Sequence, residues 1–324
     1  MEEQKEEGKK WEVNLEEEEV EECIRKQGDK RALGENGVGR KVVKMMWECK
    51  GGRRKIMGIY RRSLELGYMV KRWRRSVGIV MKKPKKQDYS LPSSYRVINL
   101  LDVLGKGLER VVNGRLERGK QVGMGDEQFE ARKGRRGMEV VGSLYRKCEE
   151  GGGKGLLSCM DVKGVYENLR VRKMEKRLEE LGVEKYLREW IVSFLRERVV
   201  RVKIGGRIGG RVKMRGETVQ GSALSSALFM FLLEGVLEEV MKEEVEGVSM
   251  VAVVDDVGLM VVGKDEEEIR ERERVRRMEI GLVRGWKKWE IDVQMLKLEG
   301  VWRRKGRKRW VKEVRWLGED IVLK

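Results

Sequence analysis

The chain lacks histidine altogether and is nearly devoid of proline and threonine: its 324 residues include two prolines, Pro84 and Pro92, and one threonine, Thr218. Without an imidazole there is no His-based general acid or base, and the commonest metal ligand is missing. Its four cysteines, Cys23, Cys49, Cys148 and Cys159, form no C-x-x-C pair. Both absences argue against zinc fingers and knuckles, and the cysteines read as free thiols of a reducing compartment. No apolar run approaches the roughly 18 residues of a membrane span. The stretch from Met1 to Glu22 is dominated by Glu and Lys and has no apolar core of a secretory signal. The expectation is an intracellular protein with no membrane partner.

The scarce residues share a feature. His, Pro, Thr, Gln and Ala all need cytidine in their codons, whereas the plentiful Gly, Glu, Lys, Val, Met and Trp do not. The coding strand reads as poor in cytidine, as in a copy under mutational drift. The net charge is +18, with 73 Lys and Arg against 55 Asp and Glu. Such a surplus attracts polyanions, nucleic acid foremost. Since the same codon bias favours Lys and AGR-coded Arg, basicity alone is a modest pointer.

Along the chain, residues 1–31 are highly charged, a helical or disordered lead with a solvated helix from Glu16 to Lys26. Apolar residues at helical spacing fill residues 40–75, with Gly51-Gly52 expected to break the two halves. Val77 to Met81 is a strand, Lys82 to Lys86 a basic loop, and Tyr95 to Ile98 extended again. Helical spacing runs from Leu100 to Leu116. A buried strand spans residues 155–161 and ends on Asp161; a long helical stretch then reaches Arg196. Glycine pairs at 205–206 and 209–210 mark a hairpin, and Ser222 is placed to cap a strongly apolar helix. Residues 248–262 read as two apolar strands flanking an Asp255-Asp256 turn. Glu266 to Trp289 reads as helix, and Trp310 to Leu323 as extended.

An acidic pair in a hairpin turn is often only a solvated turn. Here the flanking strands are too apolar to be exposed, and two carboxylates at the tip of a buried hairpin repel each other. A divalent cation removes that repulsion. Asp161 ends a second buried strand, so one sheet edge can present both. Carboxylates converging there suit two Mg²⁺ ions, which take oxygen ligands and need neither His nor Cys. Two ions about 4 Å apart activate an attacking hydroxyl and stabilise a leaving pyrophosphate. Tyr166, five residues after Asp161, reads by itself as helix packing.

Asp161-Val-Lys-Gly-Val-Tyr166-Glu-Asn resembles the reverse-transcriptase motif D-x-x-x-x-F/Y, commonly DVKGAFDNV in LINE-type enzymes. Val219-Gln220-Gly221-Ser222-Ala223-Leu224-Ser225 resembles the next motif, PQGSPLSP, and Val253-Val254-Asp255-Asp256-Val257-Gly258 the VDDVG form of the third. The three occur in the family's order and spacing. Flanking segments agree: Gly34 to Val38 with GPDGI, Lys82 to Leu101 with KPGKPDYSxPxxYRPIxLL, Leu104 to Glu109 with LGKLLE, Gln128 to Arg135 with QxGARRGRST, Lys297 to Glu299 with KTE, and Arg315 to Gly318 with WLG. The chain resembles the polymerase region of a non-LTR (LINE-like) retrotransposon reverse transcriptase from about residue 20 onward.

The resemblance implies an α+β right-hand polymerase fold with an antiparallel palm sheet carrying the catalytic carboxylates. A charged lead (1–30) precedes an N-terminal segment and fingers (31–155), a palm (156–309) and a primer-grip-like segment (310–324), with the thumb largely absent. Asp161, Asp255 and Asp256, with the Val162 backbone carbonyl, would hold two Mg²⁺ (Mn²⁺ as an alternative), and Lys297 would lie near the departing pyrophosphate. Lys82, Lys83, Lys86, Arg96, Arg132, Arg135, Tyr166, Gln220 and Gly221 would meet template or incoming nucleotide. Trp316, Leu317 and Gly318 would support the primer end. The implied partners are an RNA template, a DNA primer and a deoxynucleoside triphosphate; a nuclear site of action suits target-primed insertion. The chain departs from the motifs chiefly in proline: Val219, Ala223, Ser226 and Val97 stand where the family has Pro. Proline fixes φ and shapes loops. Two readings therefore stay open, a working RNA-directed DNA polymerase and an impaired relic that only binds nucleic acid.

Overall fold

The structure is a computed structural model that describes residues 11–26, 32–119, 154–162, 169–214, 218–241, 248–253, 256–264, 267–269, 293–305, 308–310, 314–316 and 319–321. Two compact units share the chain discontinuously: Met1–Val122 with Leu169–Leu228, and Gly123–Asn168 with Phe229–Lys324. Helix and sheet are mixed throughout, as the α+β expectation requires.

The first unit opens with helices α1 (Glu17–Arg25), α2 (Arg40–Glu48) and α3 (Lys50–Glu65). α1 is amphipathic rather than wholly solvated, because Val20 and Ile24 are buried. On its polar side Glu19 receives both the Nε and an Nη of Arg115, at 3.0 and 2.7 Å, and Arg115 also donates to the Tyr186 hydroxyl at 2.9 Å. The break between α2 and α3 falls at Cys49, where ψ is 122°, and not at Gly51-Gly52. Those glycines lie in the first turn of α3, and a Cβ on Gly52 would stand 2.2 Å from the Met46 carbonyl. Glycine there permits a close approach between helices instead of ending one.

Strands β1 (Arg75–Lys82), β2 (Tyr95–Leu101), β4 (Val199–Ile204) and β5 (Arg207–Lys213) form a mixed four-stranded sheet in the order β2-β1-β4-β5. β1 pairs antiparallel with β2 and parallel with β4. The β4–β5 connection is the Gly205-Gly206 pair, both at positive φ (55° and 83°), as tight hairpins require. Gly209 and Gly210 belong to β5. Helix α4 (Val103–Gly119) follows β2, whose strand structure extends to Leu101. The stretch before Arg196 is two helices, α5 (Val171–Glu180) and α6 (Lys185–Leu195). They part at Gly182, whose φ of 66° suits a helix C-terminus.

Aromatic side chains fill this unit's core. Trp190 is fully buried, stacks on Phe194 at 5.9 Å, and donates its indole N–H to Ser63 Oγ at 2.9 Å. Tyr60 packs edge-on against Trp73 and donates its hydroxyl to the Leu104 carbonyl at 2.6 Å. Both buried polar tips thus have partners, as burial demands.

The second unit carries a five-stranded antiparallel sheet in the order β6-β7-β3-β8-β9: β6 (Val248–Val253), β7 (Asp256–Val262), β3 (Lys154–Val162), β8 (Val293–Lys305) and β9 (Lys308–Trp310). β10 (Val314–Trp316) and β11 (Glu319–Ile321) form a separate antiparallel pair. Helix α7 (Ser225–Met241) is buried continuously from Leu228 to Leu237, which explains a sequence apolar on all sides. Among the described residues no helix is long and apolar enough to cross a membrane. The expected helix over 266–289 lies almost wholly outside the described residues.

Candidate active site

β3 is the central strand of the five-stranded sheet, with β7 on one side and β8 on the other. Asp161, its penultimate residue, is the cross-strand partner of Asp256 on β7 and of Gln294 on β8. The two aspartates therefore occupy adjacent register positions at one end of the sheet, and directly opposed residues of an antiparallel pair share a face. The β6–β7 hairpin closes at Val253↔Asp256. Asp256 is thus the first residue of β7, one position further into the ladder than a turn over Asp255-Asp256 would put it. The largely apolar strand Val248–Val253 keeps its pairing with β7 up to that position. Val162 ends β3 opposite Val293, and Asp255 lies outside the described residues.

Lys297 is on β8, where the pairing with β3 slips: Leu296 faces Cys159 and Gly300 faces Leu157. The Lys297-Leu298-Glu299 segment is set against Ser158 alone, an irregularity of the kind strands use near sites to redirect residues. Trp316 ends β10; Leu317, Gly318, Arg132, Arg135 and Tyr166 lie outside the described residues. No group of three or more metal-ligating side chains occurs among the described residues.

The first unit builds a second feature, the turn from Val219 to Ser225. Gln220 offers its carbonyl to the backbone N–H of Asn99 on β2 at 2.8 Å. Gly221 sits at φ +109°, where a Cβ would lie 2.7 Å from the Asn99 carbonyl oxygen. Only glycine fits without strain. Asn99 is itself fixed, accepting at Oδ1 from Ser76 Oγ at 2.9 Å. Ser222 stands three residues before α7 rather than at its cap, yet its Oγ accepts from the Leu224 and Ser225 amides at 3.1 and 3.3 Å. The Ser222 hydroxyl and the Ala223 amide both donate to Glu109 Oε2, at 2.7 and 2.9 Å. Val219 is buried with Leu101 and Val200. Sequence reading singled out Gln220 and Gly221 but assigned no role to Glu109 or Asn99; their distance in the chain hid them.

Lys82, Lys83, Lys86 and Arg96 cluster about the β1–β2 connection. Lys82 and Arg96 sit at neighbouring register positions, facing Tyr95 and Met81. The Lys82 ammonium lies over the Tyr89 ring at 4.9 Å, and Tyr89 donates its hydroxyl to the Lys83 carbonyl at 2.8 Å. Lys85 adopts φ 58° in the same loop. Lys82, Lys86 and Arg96 are exposed, so this end of the four-stranded sheet presents cations beside aromatic rings, a combination that binds phosphates and bases together.

The sequence model of the reverse transcriptase (RNA-dependent DNA polymerase) family matches residues 81–321. The chain belongs to that family. It is also 28% identical over 169 residues to the 115 kDa protein in type-1 retrotransposable element R1DM of Drosophila melanogaster, an alignment covering 51% of this chain and 16% of that protein. A retrotransposable-element relative agrees with the LINE-like motifs read in the sequence.

Proposed function

We propose that this chain is an RNA-directed DNA polymerase of a non-LTR retrotransposon, extending a primer 3′-hydroxyl on an RNA template. The observation that carries the reading is the Asp161↔Asp256 pairing in the antiparallel sheet. Two carboxylates on neighbouring strands repel unless a cation lies between them. The donors are all oxygen, which suits Mg²⁺ or Mn²⁺. Asp161, Asp256 and Asp255, with the Val162 carbonyl, would hold two such ions; when bound, these lower the pKa of the attacking hydroxyl and neutralise the charge on the leaving group.

In the reaction, the primer 3′-oxygen bonds the α-phosphorus and loses its proton. The α–β phosphoanhydride bond breaks, and pyrophosphate departs. Lys297 would meet the departing pyrophosphate. Gln220 and Gly221 would bound the base and sugar of the incoming nucleotide, with Tyr166 beneath that sugar. Lys82, Lys83, Lys86 and Arg96, with Arg132 and Arg135, would bind template and triphosphate in the fingers, and Trp316 to Gly318 would support the primer end. On this reading the five-stranded sheet is the palm, and the site of action is nuclear.

The test is primer extension on an RNA template with deoxynucleotides, with and without Mg²⁺. Extension that stops on chelation and resumes on adding Mg²⁺ supports the reading. RNA binding by the folded chain with no Mg²⁺-dependent synthesis refutes it in favour of a nucleic-acid-binding relic. The missing prolines at 219, 223 and 226 give that alternative its footing.

A further inference from the structure

We infer that Glu109 is a positioning residue for the nucleotide pocket, fastening the Gln220–Ala223 turn in place of the proline that the motif has lost; this rests on the polymerase reading above. Residue 223 is alanine where the family motif carries proline. A prolyl nitrogen has no hydrogen to donate. Here the Ala223 N–H donates to Glu109 Oε2 at 2.9 Å, a bond that proline at 223 could not make. The same oxygen takes the Ser222 hydroxyl at 2.7 Å. Glu109 lies 113 residues before Ser222 and is 0% exposed. Hydrogen bonds to a buried carboxylate are among the stronger ones available.

The turn is thus held from two sides. β2 fixes Gln220 and Gly221 through the Asn99 backbone, and α4 fixes Ser222 and Ala223 through Glu109. A turn without prolines samples more conformations; the two bonds to Glu109 remove that freedom. Gln220 and Gly221 make no bond to Glu109, so its effect on them passes through Ser222 and Ala223.

A second role of the same carboxylate must be kept apart from this one. Arg198 is fully buried and pushed down to about 10 by desolvation, with Glu109 acting in the opposite direction and Arg74 reinforcing the depression. Arg198 donates to the Phe194 carbonyl at 3.1 Å, while its Nε and one Nη have no hydrogen-bond partner. Removing the Glu109 charge therefore weakens the core whether or not the turn is affected. Glu109→Gln separates the roles: its carbonyl oxygen still accepts both turn bonds, but its charge is gone. Glu109→Ala removes both.

The experiment uses the full chain in steady-state primer extension, with melting temperature and site-resolved amide exchange measured alongside. Both variants melt below the parent. Glu109→Ala raises KM for the deoxynucleotide about tenfold with kcat little changed, the equivalent of about one charge-assisted hydrogen bond. Glu109→Gln stays within about twofold of the parent KM. Adding Ala223→Pro to Glu109→Ala restores most of the lost affinity. A KM that rises equally in both variants, or in neither, overturns the inference. Should the parent show no synthesis, the polymerase reading fails on that result, while amide exchange still judges the fastening. Exchange at Ala223 accelerates in Glu109→Ala and not in Glu109→Gln if the bond holds the turn, and unchanged exchange in Glu109→Ala refutes it.

Discussion

The Asp256 hairpin and the Gly221 turn carry two of the three core motifs, yet they are built by opposite means. The hairpin is a product of backbone register: β6, β7 and β3 pair in unbroken ladders that set Asp161 opposite Asp256. The turn is a product of side chains and one backbone angle, with Asn99, Glu109 and the φ of +109° at Gly221 all required. A ladder distributes its stability over many bonds, so single changes leave it standing. A turn held by a few bonds transmits each change directly to the residues it presents.

This contrast sets the expected order of effects. Asp256→Asn should leave melting nearly unchanged yet reduce extension by about a thousandfold or more, since a missing metal-binding carboxylate costs several kcal/mol in the transition state. Gly221→Ala should do the reverse: placing a Cβ 2.7 Å from the Asn99 carbonyl at positive φ should cost about 1–3 kcal/mol of stability, read as a lower denaturation midpoint. Equal loss of stability in both would break the comparison. Lys82→Gln with Lys86→Gln should weaken RNA binding without changing melting. Each phosphate left without its lysine should make the slope of log K against log salt shallower by about 0.7.

The smallest effect concerns Asp102, whose carboxyl is raised above the ordinary range by burial, partly opposed by the Asn36 amide. A raised carboxyl pKa contributes stability below the unfolded value of 3.8 that is lost as pH rises through the folded one. Asp102→Asn should therefore match the parent at about pH 4 and exceed it slightly at about pH 7, in melting curves taken across that range.

The difference between the two features also marks what was legible in the sequence. The strands that lead to Asp161 and flank Asp255-Asp256 were visible, because each is a short, largely apolar run bounded by a carboxylate. The sequence suggested only that one sheet edge could present both carboxylates; the register that pairs Asp161 with Asp256 comes from the strand order, with β7 beside β3. Gly51-Gly52 misled, since a glycine pair marks a break and a close helix approach alike; Gly52 against the Met46 carbonyl is the latter. Residues 16–26 looked solvated because two apolar side chains, Val20 and Ile24, suffice to seat a nine-residue helix. Glu109 was read only as the end of a motif. Nothing local signals that a helix carboxylate will accept bonds from a turn more than a hundred residues later.

The most direct test of the central claim is a double-substitution cycle on Asp161 and Asp256 in RNA-templated primer extension with saturating Mg²⁺. If the paired positions form one metal-binding site, Asp161→Asn and Asp256→Asn each abolish extension nearly as fully as the double substitution, because groups acting as a unit are not additive. Near-parental extension by either single variant would contradict the account.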